Sequence, residues 1–178
     1  MKILVIGGSG HIGSYLVLRL VRDGHEVTSV SRGNRKAYSF AESEWRDVRV
    51  IHMPRAGLCA NKVLLTSPRP DIICDLVSYT PREAKALCEN FIGSATRIIQ
   101  IGSIWVYAYK KTVPVTEEHE RNEVSGYGRN KADIEKYLLG LTARGQLSCT
   151  VIHPGHISGR GWLPINPQGN LNVGVYQD

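Results

Sequence analysis

Residues 3–13 read Ile3-Leu4-Val5-Ile6-Gly7-Gly8-Ser9-Gly10-His11-Ile12-Gly13, a short apolar run followed directly by a glycine-rich turn. Apolar side chains then recur at helical spacing, at Ile12, Leu16, Leu20 and Val21. Glycine permits positive φ and a close approach to a ligand, and the first turn of a helix offers unpaired N–H groups to an anion. The stretch therefore predicts a strand–turn–helix unit that binds the phosphates of a dinucleotide, with G-x-x-G-x-x-G spacing in place of the tighter G-x-G-x-x-G. The alternative, a glycine loop without a ligand, is disfavoured by both flanks.

The rest of the chain continues this alternation of apolar runs and amphipathic segments, which is typical of a parallel sheet with helices on both faces. Right-handed crossovers give an α/β Rossmann-type doubly wound sheet of order 3-2-1-4-5-6, with ligands at the carboxyl ends of its strands. The continuous apolar character of the strands predicts burial on both faces. The predicted strands are Lys2–Ile6, Glu26–Ser31, Val48–His52, Asp71–Leu76, Arg97–Ile101 and Ser148–His153. The predicted helices are His11–Asp23, Pro81–Phe91, Ser125–Ala143 and a less regular one at Leu58–Thr66.

The composition predicts one soluble domain without a membrane span, because 42% of the 178 residues are hydrophobic and 21% are charged. The 22 Lys and Arg against 16 Asp and Glu could serve nucleic acid or phosphorylated ligands equally well. Because these residues are scattered, we interpret them mostly as a solvated surface rather than a nucleic-acid face. Four cysteines lack metal-like spacing, so no metal site is expected and a reducing cytoplasm is the simplest location. Cys74 and Cys149 lie in predicted strands and are expected to be buried thiols.

A second signal lies about a hundred residues downstream of the glycine turn. Tyr127 and Lys131 are spaced i and i+4, so they share one face of a helix. A free tyrosine titrates near about 10, and a neighbouring ammonium favours its phenolate, which suits a general acid–base. Alone, the pair reads more simply as an exposed helical pair, but the glycine turn upstream favours chemistry. Ser103 follows the fifth predicted strand at its carboxyl end, where it could bond a substrate oxygen or merely cap a loop.

Together these residues resemble the extended short-chain dehydrogenase/reductase family, in its branch of NAD(P)-dependent epimerases, dehydratases and reductases. The resemblance runs from Met1 to about Gly161. It is carried by four motifs: Gly7-x-x-Gly10-x-x-Gly13, Ile101-Gly102-Ser103-Ile104-Trp105-Val106-Tyr107, Tyr127-x-x-x-Lys131 and His153-Pro154-Gly155-His156-Ile157-x-Gly159.

The resemblance implies roles for individual residues. Ser103 would polarise the reacting oxygen, Tyr127 would exchange its proton, and Lys131 would hold the nicotinamide ribose and acidify Tyr127. Leu76 and Val77 would line the path of the cofactor, and residues 154–157 would pack by the nicotinamide ring. The implied cofactor site comprises Gly7, Gly10, His11, Ile12, Gly13, Leu76, Val77, Tyr127, Lys131, Pro154, Gly155 and Ile157.

The end of the second predicted strand bears on the choice of cofactor. Enzymes that prefer NAD usually place an acidic residue there for the ribose 2′-hydroxyl. This chain has Ser31 and Arg32, with Arg35 and Lys36 close behind. A hydroxyl and a guanidinium favour a 2′-phosphate, so we expect Ser31 and Arg32 to bind NADP(H) in preference to NAD(H). The alternative is that Arg32 is only a surface residue.

The sequence also departs from the family's pattern. Dehydratases of the family tend to carry an acidic pair just after the catalytic Ser or Thr, where this chain has Ile104 and Trp105, so sugar dehydration is not expected. Asp75-Leu76-Val77-Ser78 replaces the usual His-Leu-Ala-Ala, and His153 stands where an arginine is common. Family members normally continue for a further hundred residues or more, about as many as one small domain needs. We therefore expect an NAD(P)-binding domain over residues 1–155, the loop-rich start of a truncated substrate region over 156–178, and cofactor binding that survives better than turnover.

The leading hypothesis is an NADP(H)-dependent oxidoreductase or epimerase that acts on a small hydroxyl- or carbonyl-bearing substrate or a nucleotide sugar. The alternative is a non-catalytic module that senses nucleotides or binds RNA on the same fold. A homodimer through the predicted helices Pro81–Phe91 and Ser125–Ala143 is a further expectation.

Overall fold

The computed structural model describes residues 1–34, 36–37, 42–107 and 113–159. In this part of the chain six parallel strands form one sheet in the order β3-β2-β1-β4-β5-β6, so the predicted doubly wound Rossmann-type order is confirmed. The strands are β1 (Lys2–Ile6), β2 (Glu26–Ser31), β3 (Arg49–His52), β4 (Ile72–Asp75), β5 (Arg97–Ile101) and β6 (Ser148–Ile152). The helices are α1 (His11–Arg22), α2 (Arg55–Ala60), α3 (Lys62–Thr66), α4 (Pro81–Cys88) and α5 (Gly126–Ala143), with single 3₁₀ turns at Ser43–Asp47 and Ile104–Tyr107.

Strand β1 lies at the centre and pairs with β2 on one side and β4 on the other. The chain leaves β1 toward one face of the sheet and leaves β4 toward the other. The strand order therefore reverses between the adjacent strands β1 and β4, which opens a crevice at their carboxyl ends. Hydrogen bonds continue the ladder to the rim of this crevice, from Gly7 N–H to Val30 O at 2.8 Å and from Leu76 N–H to Ile6 O at 3.0 Å.

Two apolar cores sandwich the sheet, because successive strand side chains point to opposite faces. Ile3 and Val5 pack with Val17 of α1 in the smaller core. The larger core includes Leu4 and Ile6 from the other face of β1 and buries side chains from the helices that cover it. Those helical residues are Leu58, Leu65, Ala84, Leu87, Cys88, Ile134, Leu138 and Leu141.

Burial on both faces, which we expected of all strands, is wrong for the two edge strands. Val50 of β3 is 38% exposed and Ile152 of β6 is 48% exposed. Each edge strand has only one neighbour in the sheet, so the flanking helices do not cover it fully.

The predicted helix Leu58–Thr66 is also wrong, since two short helices meet at Asn61. The Asn61 side chain accepts the Leu64 N–H at 3.1 Å and starts a new helix. The other predicted elements are present, with bounds that shift at some ends. Ser125, for example, is the cap of α5 and accepts the Gly128 N–H at 3.0 Å.

Among the described residues, no helix combines the length and hydropathy needed to cross a bilayer. The four cysteines are free thiols, and Cys74 and Cys149 are buried as expected. Residues 160–178, most of the predicted truncated region, lie outside the described residues.

Two adjacent leucines of α5 test the position of the larger core. Leu138 is fully buried, whereas Leu139 is 46% exposed. We expect Leu138→Ala to lower the free energy of unfolding by about 2–5 kcal/mol, because it leaves a cavity, and Leu139→Ala to change it by less than about 0.5 kcal/mol. Urea unfolding of both variants measures the difference; equal losses would contradict the orientation of α5.

Candidate functional site

The turn between β1 and α1 is built on glycines that no other residue could replace without a shift. Gly7 has φ 95°, and its carbonyl accepts the Gly10 N–H at 2.9 Å. A Cβ on Gly13 would collide with the Gly7 carbonyl oxygen, and one on Gly8 would collide with the Ser29 hydroxyl. The glycines thus let α1 approach the end of β1 closely, and Gly8 is a structural glycine that the sequence pattern did not single out.

Helix α1 begins without a side-chain cap, because its N-cap is Gly10. The first-turn N–H groups of such a helix, together with its positive dipole end, form an anion site. Burial lowers the pKa of His11 in this turn, so that its ring is neutral at pH 7. The attraction for an anion therefore comes from the backbone.

Two pockets open at the carboxyl ends of the strands and share Gly7, Gly10, Val77 and Tyr79. The first, about 290 Å³, lies beyond the end of β2 and is lined by Ser31, Arg32, Gly33, Asn34, Met53, Arg55 and Glu83, among others. The second, about 530 Å³, lies over the ends of β4, β5 and β6. It is lined by Gly7, Gly10, His11, Ile12, Gly13, Leu76, Val77, Tyr79, Ile101, Gly102, Ser103, Trp105, Tyr127, Lys131, Pro154, Gly155, His156 and Ile157.

Every residue that the sequence analysis assigned to catalysis or to the cofactor lines one of these two pockets. They reach it from separate segments of the chain, and their common location follows from the parallel sheet, which brings all strand ends to one edge. Lys36 is exposed and does not line either pocket, and Arg35 lies outside the described residues.

Lys131 is the most constrained side chain of the site. It is only 2% exposed, and its Nζ donates to the carbonyl oxygens of Ser78 and Ile101, at 2.8 Å each. Its Nζ also lies 5.2 Å from the ring centre of Tyr79 and 5.8 Å from that of Tyr127. Burial lowers the pKa of Lys131 to about 8, against the attraction of Asp75, so the group is still mostly an ammonium at pH 7.

Tyr127 and Ser103 line the same pocket as Lys131 but differ in exposure. Tyr127, in the first turn of α5, is 43% exposed and opens toward the pocket, while Ser103 is buried. Ser103 Oγ accepts the Trp105 N–H at 3.3 Å, so the hydroxyl keeps its own hydrogen to donate.

A polar cluster behind Ser103 was missed by the sequence analysis. His153 Nδ1 accepts the Ser103 N–H at 3.1 Å, and His153 Nε2 lies 3.2 Å from Glu135 Oε1. Arg121 donates to both oxygens of Glu135, at 3.0 and 2.6 Å. Although burial works to raise the pKa of Glu135, these contacts hold it below its usual value. The departure at His153 was visible in the sequence, but its partners Arg121 and Glu135 belong to no recognisable motif.

A second missed group is the buried ion pair of Arg55 and Asp75. Both guanidinium Nη atoms donate to the carboxylate at 2.7 Å, and Asp75 is fully buried. Removing one partner of such a pair leaves an uncompensated charge and costs about 3–5 kcal/mol of stability.

A model of the NAD dependent epimerase/dehydratase family matches residues 3–174. The chain belongs to this family. It is 27% identical over 157 residues to the 2'-dehydrokanamycin reductase of Streptomyces kanamyceticus. The aligned region covers 88% of this chain and 43% of that protein. It is also 27% identical over 173 residues to the chloroplast stem-loop binding protein of 41 kDa b of Arabidopsis thaliana, across 93% of this chain and 43% of that protein. The chain therefore spans less than half the length of these curated relatives.

Among solved structures, the UDP-glucose 4-epimerase of Thermotoga maritima with UDP-glucose superimposes with a TM-score of 0.78. The superposition covers 97% of this chain and 60% of that one, at 23% sequence identity. At this identity the likeness shows a common fold.

Two glycines in the first turn of α5 offer a matched test of how Tyr127 is placed. A Cβ on Gly128 would lie 2.6 Å from Trp105 O and 3.0 Å from Glu123 Cβ, whereas one on Gly126 would meet nothing within 4 Å. We expect Gly128→Ala to push the Tyr127 turn away from Ser103 and to lower both the melting temperature and the affinity for a nicotinamide cofactor. Gly126→Ala should leave both unchanged. Thermal unfolding and cofactor titration measure the contrast, and tolerance of Gly128→Ala would contradict the close packing.

Proposed function

We propose that this chain binds NADP(H) and that its site catalyses oxidation–reduction or epimerisation of a nucleotide sugar or a similar hydroxyl- or carbonyl-bearing substrate. The observation that carries the proposal is the convergence of Ser103, Tyr127 and the buried Lys131 on one pocket that opens onto the glycine turn. The two reaction types are those named for two similar proteins, the curated reductase at 27% sequence identity and the epimerase whose fold superimposes on this chain.

The residues present fit a nicotinamide dinucleotide. The uncapped start of α1 and the close turn at Gly7 suit its pyrophosphate, and the two joined pockets suit its two halves. When bound, the cofactor supplies hydride transfer. Lys131 would hold a ribose hydroxyl, using the ammonium hydrogen that the Ser78 and Ile101 carbonyls leave over.

Proton movement at the substrate falls to the protein. The Ser103 hydroxyl would donate to the reacting oxygen, and Tyr127 would take or return its proton at the same atom. The ammonium of Lys131 lies 5.8 Å from the Tyr127 ring centre, where it would attract the negative charge that the phenol oxygen gains when it gives up its proton. Because that ammonium is lost as pH rises through about 8, turnover should fall on the alkaline side of this pH.

The preference for NADP(H) rests on the first pocket. At the end of β2 this pocket presents Ser31 and the exposed Arg32, and the residues described there include no carboxylate. Glu83 lines the pocket too, but its Oε2 is engaged by the backbone N–H groups of Tyr79 and Thr80. NAD(H) remains the alternative, as the family's own description names NAD.

The choice of cofactor is tested by Arg32→Ala. We expect NADPH affinity to fall about tenfold, the value of one charge-assisted hydrogen bond at an exposed site, with NADH affinity little changed. Nicotinamide fluorescence titrations give both constants, and Arg69→Ala, an exposed arginine that lines neither pocket, serves as the control. If Arg32→Ala left the ratio of the two affinities unchanged, the preference would have to be assigned elsewhere.

The catalytic assignment is tested by Tyr127→Phe, which removes the proton donor and keeps the ring. We expect turnover of a responsive nucleotide sugar to fall about 10²–10⁴-fold while cofactor affinity stays within a few-fold, since the phenol hydroxyl serves the proton step. A net change in nicotinamide absorbance identifies a reductase, and interconversion of sugars without net change identifies an epimerase. A Tyr127→Phe variant as active as the parent would remove Tyr127 from the mechanism.

A second candidate function is an RNA-binding or nucleotide-sensing module. It is favoured by the similarity to the chloroplast stem-loop binding protein and by the formal net charge of +6. Salt-dependent binding of stem-loop RNA that is insensitive to NADPH would support this function.

Four free thiols suit a reducing compartment, so we place either function in the cytoplasm. We also propose that the chain forms a homodimer through α4 and α5. Analytical ultracentrifugation tests this by measuring the mass of the particle in solution.

A further inference from the structure

Asp75, the last residue of β4, has every carboxylate position occupied. Besides the two bonds from Arg55, Oδ1 accepts the Val77 N–H at 3.2 Å and Oδ2 accepts the Ser78 hydroxyl at 2.6 Å. A buried carboxylate satisfied by four donors in a medium of low dielectric holds those donors in one arrangement. Asp75 therefore determines the course of the chain immediately after β4.

The segment that follows, residues 76–80, is held at its far end as well. Thr80 is the N-cap of α4 and forms a reciprocal capping box with Glu83, whose Oε2 also accepts the Tyr79 N–H at 2.9 Å. Arg55 joins the two ends, because its Nη2 donates to the Glu83 carbonyl oxygen at 3.2 Å as well as to Asp75. Between these anchors lies Ser78, whose carbonyl oxygen accepts the ammonium of Lys131.

The groups that act electrostatically on this ammonium come from each element around it. They are Asp75 on β4, Glu83 on α4, Arg55 on α2, Tyr79 in the connecting segment and Tyr127 on α5. Burial disfavours the charge, Asp75 and Glu83 favour it, and Arg55 disfavours it. Asp75 is the stronger of the two favourable carboxylates.

We propose that Asp75 is a positioning residue for Lys131, holding the Ser78 backbone that receives the ammonium and supplying the buried negative charge that keeps this ammonium charged. Asp75 acts through Ser78 and through its field and does not touch the reacting atoms. At position 75 this chain has an aspartate, where the family pattern given in the sequence analysis has a histidine. The inference deepens the proposed function, on which the catalytic meaning of Lys131 rests.

The test is a direct titration of Lys131 without cofactor or substrate. In lysine-labelled protein, the ¹³Cε resonance of Lys131 is identified by its absence from the Lys131→Arg variant and followed by NMR across the alkaline range. We expect a midpoint near 8 in the parent chain. In Asp75→Asn the midpoint should fall by about one unit, a tenfold weaker hold on the proton. An unchanged midpoint in a folded Asp75→Asn variant overturns the proposal.

A matched control separates positioning from general stability. Asp71 is an exposed aspartate just before β4, at the opposite end of the same strand, where it accepts the Lys2 N–H at 2.7 Å. Asp71→Asn should leave the Lys131 midpoint in place. If the role of Asp75 were purely structural, Asp75→Asn would lower the free energy of unfolding but leave the Lys131 midpoint at its value in the parent chain.

The double variant Arg55→Gln, Asp75→Asn keeps the test decisive if the single variant does not fold. It removes both buried charges and preserves an amide pair. Because Asp75 outweighs Arg55 at Lys131, its midpoint should lie below that of the parent and above that of Asp75→Asn. A midpoint equal to that of the parent overturns the proposal. Since the titration involves no cofactor, a chain that fails to bind NADPH can still show the shift, and the two failures are distinguishable.

Discussion

The pair of hydrogen bonds from the Lys131 ammonium to the Ser78 and Ile101 carbonyls is the interaction on which the site depends. The Ser78 carbonyl lies in the segment that leaves β4, and the Ile101 carbonyl belongs to the last residue of β5, so one side chain fastens α5 to the ends of two strands. Tyr127 lies one helical turn before Lys131 and is placed by the same attachment. The fastening is made by a buried charge, which is stable only where the surrounding groups offset the loss of water.

The features of this fold that could be predicted from the sequence are those written in local pattern. A strand–turn–helix unit is determined locally by the apolar run Ile3–Ile6, the glycines after it and the helical stripe beyond. The alternation of strands and helices along the rest of the chain leads to the sheet order. Most residues of the site were assigned through the family resemblance of their motifs, and they lie together because parallel strands bring their ends to one edge. The exposure of the edge strands is different: the predicted order already places β3 and β6 at the edges, but their apolar runs resemble those of buried strands and do not show that one side is uncovered.

The remaining features depend on partners far apart in sequence. Arg55 and Asp75 are separated by 20 residues, and Arg121 and Glu135 by 14, and neither pair has a spacing that indicates contact. Asn61 could have been recognised as a helix start, since asparagine favours caps, but the apolar residues on either side of it read as one stripe. Charged residues that tertiary contacts bury therefore escape a reading based on periodicity.

The partial protonation of Lys131 near pH 8 has a consequence for how the site binds an anion. With a pKa of about 8, a measurable fraction of the molecules carries a neutral amine at slightly alkaline pH. A phosphate-bearing ligand of the proposed kind, bound in the adjoining pocket, would stabilise the ammonium, so its binding would draw a fraction of a proton from solution. Association is then coupled to the buffer: its observed enthalpy includes the ionisation heat of whatever base gives up that proton, and its affinity declines as the solution becomes more alkaline.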